Sequence, residues 1–201
     1  MADPDFLAEQ RSLVNDERTA PITEFIKDLR AGGKWAPFVA PMHGGVESRM
    51  ISILRDPGPK TTDEDGSGML SIENDDPTAE LQAELADAAG IRASDFLPWN
   101  AYPWFIDRQP TGAEMREATP TLIELISLLP QLKVVLLQGK DAQQAWMLAV
   151  AVQPSLATRL TVVPTFHPGR QALFHPDLAV REQRAADRIA QWKKVGELLA
   201  E

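Results

Sequence analysis

The 201-residue chain contains no cysteine. Disulfides, thiolate zinc sites, cysteine-ligated iron–sulfur clusters and cysteine nucleophiles are therefore all excluded. The absence also fits a reducing compartment. No apolar run reaches the roughly eighteen residues that a membrane-spanning helix needs. The first residues, MADPDFLAEQR, lack the basic segment and apolar stretch of a secretory leader, so a cytoplasmic protein with no membrane partner is expected. Positive charge is also in short supply, with 20 Lys and Arg against 29 Asp and Glu and a formal charge of −9. That balance argues against non-specific polyanion binding by the whole molecule. A local basic rim still acts within about one Debye length, about 8 Å at physiological salt. Internal repeats and linker-like stretches are missing too. The expected organisation is one domain over residues 1–201, with residues 1–33 as N-terminal packing helices and 44% hydrophobic residues to fill a core.

Apolar spacing predicts helices over Asp3–Arg11 and Thr19–Arg30, the second stopped by Gly32-Gly33. Lys34–Glu47, with Pro37, Pro41 and Gly44-Gly45, reads as a loop in which His43 faces solvent. Met50–Leu54 is a buried strand ending in the turn Arg55-Asp56-Pro57-Gly58-Pro59-Lys60. The polar stretch Thr61–Gly68 is a mobile surface loop or a lid. Asp76 as N-cap, Pro77 and Glu80 open a helix with apolar Leu81, Leu85 and Ala88 that stops at Gly90. Phe96–Trp99 is a second strand, with Pro98 expected near its end and Asn100 opening the turn. Thr111–Leu129 is helical, and Val134–Leu137 is a strand buried on both faces. Gly139-Lys140 turns into a helix over Asp141–Val150. Leu160–Val163 is the last strand and Pro176–Leu199 the last helix, with Leu178, Val180, Ile189, Val195 and Leu198 as its apolar positions.

This alternation predicts an α/β fold, a four-stranded parallel sheet sandwiched between helices and joined by right-handed crossovers. In such sheets ligands bind at the carboxyl ends of the strands. Asp56, Asn100 and His167 each follow a predicted strand, so the fold should bring them to one edge although they are far apart in sequence. Singly, each has a structural explanation: a turn cap, a backbone partner, a ring held between Pro164 and Pro168.

Jointly, the strand ends resemble those of the uracil-DNA glycosylase superfamily, over roughly Met50 to Phe174. Asp56-Pro57-Gly58 resembles its first motif, and Asn100 in Pro98-Trp99-Asn100-Ala101 its base-recognising asparagine. Val134–Ala145 is similar to its third strand with a glycine turn, and His167-Pro168-Gly169-Arg170-Gln171 to its His-Pro-Ser motif with the following loop. The resemblance implies a monofunctional glycosylase that hydrolyses the N-glycosidic bond of deoxyuridine in DNA, releases uracil and leaves an abasic site. It implies no cofactor and no metal, a monomer, and uracil-containing DNA as partner.

The chemistry of that reaction accounts for the residue types. Bond cleavage leaves positive charge on the sugar and negative charge on the base, spread toward its O2. Asp56 is expected to face the sugar and to orient or deprotonate the attacking water, while His167 donates to O2 from a neutral ring. Asn100 accepts from uracil N3–H and donates to O4, a pattern that cytosine reverses. The nucleotide must be flipped out of the duplex first. Pro57, Gly58, Lys60, Gly139, Lys140, Pro168, Gly169 and Arg170 are expected to meet the DNA backbone, with Arg170 or Gln171 filling the stack where the base had been.

The pattern departs from the family at three places. Gly58 stands where the most uracil-selective branch has the tyrosine that excludes the thymine methyl. Gly68-Met69-Leu70-Ser71 stands where an aromatic ring is expected under the base, leaving Leu70, Ser71 or Met69 against it, or a ring from Trp99, Tyr102, Trp104 or Phe105. Gly169 replaces a phosphate-binding serine. A basic insertion with a crosslinking histidine is also missing. Two other function classes fit the sequence: a non-catalytic DNA- or nucleotide-binding α/β domain, and an acidic protein-interaction module.

Overall fold

A sheet of four parallel strands in the order β4-β2-β5-β6 positions everything else in the molecule. The computed structural model describes residues 1–201. Helix α1 (Pro4–Ser12) starts at Asp3, whose carboxylate accepts from the Asp5 and Phe6 amides, and α2 (Ala20–Ala31) follows. Strand β1 (Phe38–Val39) lies outside the main sheet and pairs in parallel with β3 (Met69–Leu70). Between them runs β2 (Met50–Leu54). Next come α3 (Pro77–Ala88), β4 (Phe96–Asn100), α4 (Gly112–Ser127) and β5 (Val134–Gln138). Helices α5 (Lys140–Val152) and α6 (Ser155–Arg159), strand β6 (Thr161–Thr165) and α7 (Leu178–Ala200) complete the chain.

The local signals act as their chemistry requires. The Asp76 carboxylate caps α3 by accepting from the Thr78 and Ala79 amides, and Thr111 and Glu114 form a reciprocal capping box on α4. Alternation along the strands divides the core in two. Ile51, Ile53, Leu97, Trp99, Val135 and Leu137 face α2, α4 and α5. Met50, Phe96, Val134, Leu136 and Val163 face α3 and α7. From β2 the chain crosses to β4 on one side, then returns past β2 to β5 and β6 on the other. The loops after β2 and β5 thus leave in different directions and open a crevice at the carboxyl edge.

Several expectations are corrected. Pro98 sits in the middle of β4, opposite Ser52, which works because β4 is an edge strand with one side free of ladder bonds. Asn100 ends that strand rather than opening the turn. His43 does not face solvent: it is fully buried and lies 5.5 Å from the Phe96 ring. The buried face of α7 is Arg188, Trp192, Val195 and Leu199, whereas Leu178 and Ile189 are exposed. On α3 the buried positions are Ala79, Gln82, Leu85 and Ala86, and Ala88 is exposed. The Thr61–Gly68 stretch is tied down at both ends. Ser67 and Gly68 donate backbone N–H groups to the carbonyls of Lys60 and Thr62, Ser67 Oγ donates to Asn74, and Trp35 Nε1 reaches Asp63 at 3.1 Å. The β1–β3 pair, helix α6 and Pro120 inside α4 have no counterpart in the sequence reading.

Candidate active site

Toward the carboxyl edge, the sheet face that packs on α3 and α7 changes from apolar to polar. Met50 is followed on that face by Ser52, Phe96 by Pro98 and Asn100, Leu136 by Gln138, and Val163 by Thr165. The register sets Asn100 beside Leu54 and Gln138 beside Thr165, so these side chains form a row across the four strands. The row floors a cleft of about 1330 Å³. Three of its polar atoms, Asn100 Nδ2, Gln138 Oε1 and Thr165 Oγ1, are buried without a hydrogen-bond partner. Leaving such groups unpaired costs about 1–3 kcal/mol each, so a polar ligand that satisfies them gains that amount back. The orientation of Gln138 is fixed from behind: its Nε2 donates to Ser52 Oγ at 2.6 Å and to Gln82 Oε1 at 2.7 Å.

Asp56 and His167 close on this floor from the loops after β2 and β6, and both line the cleft. The Asp56 loop is fixed to the Asn100 loop by backbone bonds from Ala101 N to the Leu54 carbonyl and from Tyr102 N to the Arg55 carbonyl, 2.8 and 2.9 Å. The Asp56 carboxylate is 9% exposed and pairs with Arg55 Nε. Burial raises its pKa, the Arg55 hydrogen bond and charge hold it back, and Asp141 and Asp107 push it further up. Such a carboxylate is more basic than an exposed one.

His167 is half-buried, and its Nδ1 accepts the Gly169 N–H at 2.9 Å. A nitrogen that accepts carries no proton, so in the neutral ring the proton is on Nε2, which is left to donate. Burial lowers the His167 pKa first, followed by the charge of Arg55; Asp141 opposes them and Arg188 adds to the lowering. The ring is neutral at pH 7. Gly139 supports it from the adjacent loop. Its φ of 95° suits glycine, and a Cβ there would come within 3.3 Å of His167 Cβ.

The other expected contacts mostly gather on the same cleft. Pro57, Gly58, Lys60, Leu70, Ser71, Gly139, Lys140, Gly169, Arg170 and Gln171 all line it. Pro168 does not: it is buried, and its carbonyl accepts from Arg188. Gly58 is exposed, with no heavy atom within 4 Å of the position a Cβ would take, so this wall of the cleft is open. Leu70 and Ser71 are buried at 8% and 7% exposure. Tyr102 and Trp104 belong to the core, whereas Phe105 reaches the cleft.

The cleft carries six cationic side chains (Arg55, Lys60, Arg108, Lys140, Arg170 and Arg184) against four carboxylates, on a chain of net charge −9. The local sign thus opposes that of the whole molecule. No three His, Asp or Glu side chains converge as a metal site, and no helix is long and apolar enough to cross a membrane. Sequence reasoning missed Gln82, Gln138 and Thr165, and it missed Phe174, an aromatic at the rim that is 70% exposed. The period-two alternation of β5 and β6, continued one step past each apolar run, is the signal that would have found Gln138 and Thr165.

A family model described as the uracil DNA glycosylase superfamily matches residues 43–192, a span that takes in all four polar loops and most of α7. Among curated proteins, none matches the chain.

Proposed function

Because the chain belongs to the uracil DNA glycosylase superfamily, we propose that this DNA glycosylase acts on deoxyuridine, as a monomer, releasing uracil and leaving an abasic site. The observation that carries the proposal is the convergence of Asp56, Asn100 and His167 on one cleft, with Asn100 Nδ2 buried and unpartnered and His167 Nε2 left as the donor.

The flipped nucleotide enters with its base on the sheet floor. Asn100 Nδ2 donates to O4 and its Oδ1 accepts from N3–H. Because cytosine offers a donor where uracil has O4 and an acceptor where it has N3–H, the amide rejects it. As the bond from C1′ to the base nitrogen breaks, its electron pair passes to the base, whose O2 is stabilised by the His167 Nε2–H. A water oxygen bonds to C1′ and yields its proton to Asp56, whose negative charge also faces the cationic sugar. The cations at the rim hold phosphates on either side. Arg170 and Gln171, joined by the exposed Phe174 ring, stand where the extruded base was stacked.

The test is release of base from oligonucleotides carrying one uracil, single- and double-stranded, with alkali to reveal abasic sites. Wild-type protein should cleave in a uracil-dependent way, and Asp56→Ala and His167→Ala should each lose at least about 10²-fold in rate. Excision by either variant at the wild-type rate would overturn the assignment. Binding of DNA without base release would favour the non-catalytic domain instead.

A further inference from the structure

One arginine near this site is buried without a carboxylate. Arg188 lies on the inner face of α7 at 8% exposure, and burial is the sole influence on its pKa, which it lowers. Its Nη1 donates to the carbonyl oxygens of His167 at 3.3 Å and Pro168 at 3.1 Å, and its Nε has no partner. One turn earlier Arg184 donates to the Phe174 carbonyl at 2.8 Å and lies over the Phe166 ring. The helix thus holds both ends of the loop that carries His167.

Neutral donors suffice to bind two carbonyls, and a largely buried charge with no acid beside it is costly. The charge itself therefore needs a role. It lies against the backbone of the residue whose Nε2–H meets the developing negative charge of a leaving base, close enough for a fixed cation to act on that charge without reorganising. We propose that Arg188 is a positioning residue for base release, fixing the His167 loop through the two carbonyls and supplying positive potential to the imidazole that receives the departing base. The inference rests on the role of His167 given above.

The charged groups facing His167 are Arg55 from the loop after β2, Asp141 from the start of α5, and Arg188 from α7. The two arginines favour the neutral ring and Asp141 the protonated one. Removing the Arg188 charge therefore raises the His167 pKa and moves the acid limb of the rate to higher pH.

The experiment compares Arg188→Lys, Arg188→Gln and Arg188→Met in the full chain. Single-turnover uracil release is measured from pH 4.5 to 8, DNA affinity separately, and the His167 pKa by imidazole NMR of the free protein. In Arg188→Met and Arg188→Gln the rate at pH 7.5 should fall about 10- to 100-fold with DNA affinity within about twofold, and the His167 pKa should rise. Arg188→Lys keeps the charge, so its limb should stay in place and its rate exceed that of the other two.

A glutamine variant with wild-type rate and pKa would overturn the proposal, because hydrogen bonding alone would then suffice. So would a lysine variant as impaired as methionine with the limb unmoved, which is the mark of a purely structural clamp. If Arg188→Met does not fold, the glutamine and lysine variants carry the decision. Wild-type protein that releases no uracil would count against the glycosylase reading, whereas the NMR comparison would still report whether Arg188 controls the His167 ring.

Discussion

Replacing His43 by leucine should flatten the acid side of the stability curve. The ring is fully buried, tilted 34° against Phe96, and neither nitrogen meets a hydrogen-bond partner. Burial pushes its pKa from 6.5 down to about 4, opposed in part by the backbone of Ala93. The unfolded chain thus takes up this proton first as the pH falls. Stability is intact above pH 6.5 and is lost as the pH drops toward 4. A difference of about 2.5 units at 1.36 kcal/mol each gives a limiting loss of about 3 kcal/mol, of which about 2 kcal/mol is gone by pH 5. Urea unfolding at pH 7 and pH 5, on both proteins, isolates this share, since every other titrating group is common to the two. Wild type should lose about 2 kcal/mol more than His43→Leu over that interval. At pH 7 the two should agree within about 1 kcal/mol, because neither ring nitrogen makes a well-formed hydrogen bond and leucine forfeits only a weak contact with the Ala93 backbone. Equal losses on acidification would refute the argument. Since His43 does not line the cleft, base release by the variant should match wild type.

At the site, Asn100→Asp should slow uracil release by at least about 10-fold and admit some cytosine; an unchanged preference, measured on paired uracil and cytosine oligonucleotides, would mean that other residues read the base. Gly139→Ala should lower stability by about 1–2 kcal/mol through its positive φ, seen as a drop in melting temperature, and should slow base release because the new Cβ presses on His167. Wild-type kinetics in that variant would show that the His167 loop tolerates displacement. The rate should fall on the acid side as His167 and Asp56 take up protons, Asp56 at a pH above the ordinary carboxylate value because burial raises its pKa. Arg55→Ala should move that limb higher still, since Arg55 lowers the pKa of both Asp56 and His167. A rate–pH profile in which the limb stays or moves down would contradict the pairing.

The three side chains proposed for chemistry were legible because each lies at the end of a strand or just beyond it, and parallel strands carry such ends to one edge whatever lies between them. Gln138 was not, since it extends an apolar run by a single residue and its partners Ser52 and Gln82 are distant in sequence. Arg188 was hidden by α7 itself. Leu178, Val180, Ile189, Val195 and Leu198 suggest one apolar face, while Trp192, Val195 and Leu199 form the buried one, rotated just enough to turn Arg188 inward.

By itself, the sequence determined the four strands of the main sheet, the longer helices and their order, because periodicity, proline and glycine punctuation and helix caps act within a few residues. It also determined the parallel sheet, since β and α units in alternation have few other ways to bury their apolar faces. Tertiary structure alone decided what depends on partners far along the chain. It placed Pro98 on an edge strand, buried His43 against Phe96, paired β1 with β3, and left Arg188 facing two carbonyls with no acid beside it. Burial is a property of the packed whole, and with it go the shifted pKa values and the unpaired polar atoms on which the proposed chemistry rests.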